Sequence, residues 1–152
     1  MEKVQKIDMA IQELEDALEA YFKGRHHSAL VLAAAAEQLF AGYLLKYEIT
    51  PAYPHERSII TRIANALRTE SDPKETSEKD IGDLMNRVYN HSKHAGKTDH
   101  EVLMDAQDES HRVIDRAISN YDQLFTRLEH ALPDLPLAQR FRMEAISDVR
   151  NG

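Results

Sequence analysis

The segment with the densest chemistry is Asn86-Arg87-Val88-Tyr89-Asn90-His91-Ser92-Lys93-His94-Ala95-Gly96-Lys97-Thr98. It gathers two histidines, two lysines, an arginine and two asparagines at the carboxyl end of one expected helix. Arg87, Asn90, His91 and His94 are spaced 3, 1 and 3, which places them on one side of that helix. Imidazole can donate and accept protons near neutral pH. An amide and cations beside it could orient and neutralise a phosphodiester. Lys and His at a helix end also complement the negative end of the helix dipole, so the same residues have an ordinary structural use.

Other constellations are weaker. His91-x-x-His94, His26-His27 and Asp108-x-x-His111 have metal-ligand types. Di-iron bundles, however, need two Glu-x-x-His motifs and two further glutamates, so no metal and no cofactor is expected. A helical histidine near a lysine also occurs in phosphotransfer bundles, but there the lysine follows by three residues and a glycine comes next. Glu37 lies midway along the most apolar segment and needs a partner if buried. It is expected either to support Arg87 and His94 or to sit at a helix edge with access to water. His26 and His27 follow Gly24 and are expected to cap or line a turn.

These residues must be positioned by helices. The chain has 152 residues, with 26 acidic and 19 basic side chains for a net charge of −7. One domain of that length can bury about two thirds of its unfolded surface. The acidic balance argues against broad, sequence-independent nucleic-acid binding but leaves room for a local basic patch. With no cysteine, disulfides, thiolate metal sites and cysteine nucleophiles are excluded, and a reducing cytoplasm is the expected compartment. No signal peptide or membrane span is expected, since the uncharged apolar run Ser28–Ala36 is far shorter than the roughly 20 residues that cross a bilayer.

Val4, Ile7, Ile11, Leu14, Leu18 and Tyr21 alternate in steps of 3 and 4 and predict a helix over 2–22, ended by Gly24. An Ala-rich run predicts a second, central helix over 26–47, stopped at Thr50-Pro51. A short helix is expected over 56–69. Ser77-x-x-Asp80 resembles a capping box opening a helix over 78–95, and Thr98–Glu101 a second box opening 99–131. The fold is therefore expected to be all-α: an up-and-down bundle of four main helices over 1–132, then a partly helical tail over 133–152 with a short helix near 137–149.

The stretch Tyr21-Phe22-Lys23-Gly24-Arg25-His26-His27-Ser28-Ala29-Leu30, followed by Ala34-Ala35-Ala36-Glu37-Gln38-Leu39, resembles the first hairpin of HEPN domains. Tyr89-Asn90-His91-Ser92-Lys93-His94 resembles the Arg-polar…His signature of that family. Tyr89 stands in the arginine slot, with Arg87 two residues upstream. The resemblance spans roughly residues 5–130. It implies a helical homodimer that binds RNA or nucleotide phosphate, either as a metal-independent ribonuclease of a defence or toxin–antitoxin system or as a non-catalytic interaction module. By the resemblance His94 is the acid or base, and Asn90 orients the phosphate or the histidine. Arg87 or Lys93 brings positive charge, with His91, Tyr89 and Lys97 on the substrate side. An antitoxin protein is the implied further partner.

Overall fold

The computed structural model describes residues 1, 3–71, 74–93, 101, 104–128 and 132–151, with the backbone alone at 92–93 and 148–151. Every secondary-structure element among the described residues is a helix, as expected: α1 Lys6–Phe22, α2 His26–Lys46, α3 Ala52–Ala66, α4 Glu78–Lys93, α5 Ala106–Arg127 and α6 Pro136–Asn151. They form two compact units. Met1–Ile49 and Asp105–Gly152 make the first, Thr50–Met104 the second.

In the first unit α2 packs against both α1 and α5. Alanines at 10, 17, 20, 29, 33, 34, 36 and 117 are buried, and their small side chains let helix axes approach closely. Leu14, Leu18, Leu30, Phe40, Leu44, Ile114 and Leu124 fill the remaining core. Phe40 and Tyr121 meet edge to face at 5.5 Å. Among the described residues α2 is the one helix long and apolar enough to cross a membrane. Its buried Ala29, Leu30, Ala33, Phe40 and Leu44 show it acting as the core helix of this unit.

Gly24 ends α1 as expected, at φ 72°. Its N–H donates to Tyr21 O and that of Arg25 to Ala20 O. This is the paired closure of a Schellman turn, whose left-handed residue favours glycine. α2 ends in the same motif, but there Glu48 holds the left-handed position at φ 59°. α5 starts at Ala106, later than the expected 99. Thr98 lies outside the described residues, and the cap is Asp105, whose carboxylate accepts from Asp108 N at 3.0 Å. α6 joins the first unit through buried Leu135, Ala138 and Phe141. The Tyr121 hydroxyl donates to the Pro133 carbonyl just before it.

The second unit is a helical hairpin. Pro54 sits in the first turn of α3, where its missing N–H has no helical partner to lose. Tyr53 joins the two helices: its hydroxyl accepts from Asn86 Nδ2 at 2.7 Å and donates to Gly82 O at 3.3 Å. A Cβ at Gly82 would lie 3.2 Å from that hydroxyl, so glycine permits the approach. Arg57 pairs with Glu78 at 3.1 Å. Asn65 exchanges two 2.9 Å hydrogen bonds with the backbone of Thr76 and fixes the connecting segment.

Candidate functional site

α4 opens with the expected capping box. Ser77 N donates to Asp80 Oδ2 at 3.1 Å and Asp80 N donates to Ser77 Oγ at 3.1 Å. The hydrogen bonds from the Ser77 hydroxyl and N–H hold the Asp80 carboxyl below its ordinary value. One turn on, Lys79 pairs with Asp83 at 2.8 Å, and that contact raises the lysine. Asp83 is thereby engaged toward the amino end of the helix. Arg87, four residues later, is left without it.

Arg87, Asn90 and His91 are exposed and, with Asp83 and Leu84, line an open depression of about 430 Å³. None of the three has a hydrogen-bond or ion-pair partner among the described residues. A free guanidinium, a carboxamide and an imidazole on one helical face can offer several N–H donors to one anion, the guanidinium as a two-pronged fork. Tyr89 and Val88 are half-buried and do not line the depression. Lys93 is the last described residue of α4, but its side chain lies outside the described residues, as do His94 and Lys97 altogether. The structure thus brings three of the seven expected site residues together.

A second depression, of about 450 Å³, lies along α5 and α6 and is lined by Asp115, Asp122 and Arg142 among others. Arg142 is paired with Asp122, which leaves a surface poorly suited to an anion.

The expectation that Glu37 sits at a helix edge with access to water is corrected, while its expected support of His94 falls on a residue outside the described ones. Glu37 is buried, and Arg116 Nε donates to its Oε1 at 2.8 Å. Asn120 Nδ2 reaches the Glu37 carbonyl at 3.3 Å. Sequence reasoning missed Arg116 and Asn120. The available signal was two polar residues one turn apart within the apolar α5 pattern, opposite a carboxylate in need of a cation.

Two further histidines pack against aromatic rings. His26, the first residue of α2, meets Tyr21 edge-on at 5.1 Å, and His111 lies 4.6 Å from Phe141. Asp108 pairs with Arg112 at 2.7 Å. Among the described residues no group of three or more His, Asp or Glu could hold a metal ion. Comparison with family models, curated proteins and solved structures finds no match to the chain.

Proposed function

We propose that the Arg87, Asn90 and His91 face of α4 engages a phosphate of RNA or of a nucleotide, with His94 as the proton-transfer residue of a metal-independent ribonuclease. The carrying observation is that Arg87 is exposed beside an amide and an imidazole and has no ion-pair partner among the described residues, whereas Arg57, Arg112, Arg116, Arg140 and Arg142 pair with carboxylates. A guanidinium presented this way can turn its fork of donors to an anionic ligand. The expected homodimer rests on the HEPN resemblance. The HEPN resemblance adds a defence or toxin–antitoxin setting, with an antitoxin as a further partner.

The test is RNA cleavage by the wild-type chain and by a His94→Ala variant, each with and without EDTA. Cleavage that survives EDTA and is lost in the variant supports the reading. Cleavage abolished by EDTA, or an RNA affinity unchanged by Arg87→Ala, overturns it. Molar mass in solution tests the dimer.

A further inference from the structure

α2 is apolar nearly all round, yet the chain covers only one side of it. Ala29, Leu30, Ala33, Phe40 and Leu44 are buried, whereas Val31 and Leu45 are 38% and 64% exposed. Ser28, Gln38 and Gly42 are exposed beside them, and Leu32, Ala35 and Leu39 are half-buried. From Ser28 to Leu45 the one charged residue is Glu37, which is buried against Arg116. The exposed sides of α1 and α5, by contrast, carry Glu15, Asp16 and Glu19, and Asp108, Arg112 and Asp115. A helix that is apolar all round is buried all round, so α2 needs a further partner on this side.

The order of sizes along that side selects the partner. Ser28, Val31, Ala35, Gln38, Gly42 and Leu45 follow in steps of 3 and 4, which sets them in one line. They alternate small and large. An antiparallel copy therefore sets every large residue against a small one: Val31 against Gly42 of the copy, Gln38 against Ala35 and Leu45 against Ser28. Facing layers of that kind interdigitate. Gly42 is an independent sign of close approach. A Cβ there would meet nothing within 4 Å, so no contact inside the chain requires glycine, and glycine in a helix interior weakens the helix. We propose that this face is a homodimer interface, with α2 packed antiparallel on α2 of a second copy. Such a contact is its own complement, and its centre holds no charge to repel its twin. A parallel pair fits less well, because it sets small on small and leaves voids. A membrane surface fits less well too, because a helix lying on lipid carries Lys and Arg beside its apolar face, and residues 28–45 contain neither. The interface uses none of the α4 residues, so it stands or falls apart from the phosphate reading.

One helix pair is a small interface, so the full chain should dimerise reversibly, with a Kd in the micromolar range by sedimentation equilibrium. Gly42→Ala should weaken the dimer about tenfold or more, because the added methyl overpacks the contact. The same change should raise the Tm of the dilute monomer, because alanine is the better helix former. Leu45→Glu, at an exposed position, should leave a monomer with the wild-type circular dichroism spectrum. Arg87→Ala should dimerise as the wild type does. The chain has no cysteine, so single introduced ones report the register. On mild oxidation Ser28→Cys mixed with Leu45→Cys should give the mixed disulfide dimer, read by intact mass, while neither variant links to itself. Self-linking of each variant alone, or a dimer that Gly42→Ala and Leu45→Glu both leave intact, overturns this interface but not the homodimer. A strict monomer at the highest soluble concentration overturns both. Sedimentation with phosphatidylglycerol vesicles that Leu45→Glu abolishes puts lipid on this face instead and overturns the proposal.

Discussion

Arg116 of α5 and Glu37 of α2 form a two-pronged ion pair inside the first unit, with Nε to Oε1 at 2.8 Å and the second guanidinium nitrogen to Oε2 at 3.4 Å. The residues are 6% and 8% exposed. Removing one partner from a buried pair strands the other charge, at a cost of about 3–5 kcal/mol. Arg116→Met is therefore expected to lower Tm by about 10 °C. Glu37→Leu combined with Arg116→Met should recover most of that, because an apolar pair leaves nothing stranded. Thermal unfolding of the three variants checks this, and an Arg116→Met Tm within about 2 °C of wild type would refute it.

Glu48 sits at φ 59° in the turn that closes α2, with its own N–H donating to Leu45 O and that of Ile49 to Leu44 O. A side chain in the left-handed region costs about 1–2 kcal/mol. Glycine avoids that but loses more chain entropy on folding. Glu48→Gly should therefore stabilise the chain by about 0.5–1 kcal/mol, seen as a higher urea midpoint at unchanged m-value. The same change at exposed Gln38, in the middle of α2, should destabilise it by a similar amount.

The legibility of the sequence divided along physical lines. Helices with long apolar periodicity and local stop signals were readable, because Gly24 and the Ser77/Asp80 box act through neighbours within a few residues. The start of α5 was not, since Thr98-x-x-Glu101 and Asp105-x-x-Asp108 both carry capping chemistry and composition does not rank them. Stagger was also hidden. The Ile60, Ile63 and Leu67 pattern reads as a buried face, and only the placement of Tyr53 and Asn65 shows that no helix of the hairpin covers it. The grouping of Arg87, Asn90 and His91 followed from spacing alone, but spacing does not show that Asp83, one turn before Arg87, pairs with Lys79 instead. The Glu37 partner lies 79 positions away, beyond the reach of any local pattern.

Tyr121 links chain order to alkaline pH. Burial first, then the nearby carboxylates Asp134, Asp122 and Glu15, push its hydroxyl up to about 12, while the proton is donated to the Pro133 carbonyl. An acid held protonated by the fold stabilises it fully below its unfolded value near 10. That contribution fades as pH rises toward 12. Stability should therefore fall across that window, with α6 loosening as the Pro133 contact is lost. Absorbance at 295 nm should show a tyrosine ionising near pH 12. Tyr121→Phe should remove that step and flatten the loss of stability between pH 10 and 12.

Under the proposed function Arg87 and Asp83 act oppositely at the α4 depression, and a salt series on RNA affinity separates them. Arg87→Ala removes a forked, charge-assisted contact, so Kd for a short single-stranded RNA should rise about tenfold. The slope of log K against log salt should become shallower by about 1. Arg87→Lys should keep the slope but recover only part of the affinity, because an ammonium brings the charge without the planar fork. Asp83→Asn should tighten binding, since it removes a carboxylate from the lining of the depression and leaves Lys79 unpaired. Both changes raise the local positive potential without touching Asn90 or His91. If Asp83→Asn weakens binding instead, the depression does not hold an anion, whatever Arg87→Ala does.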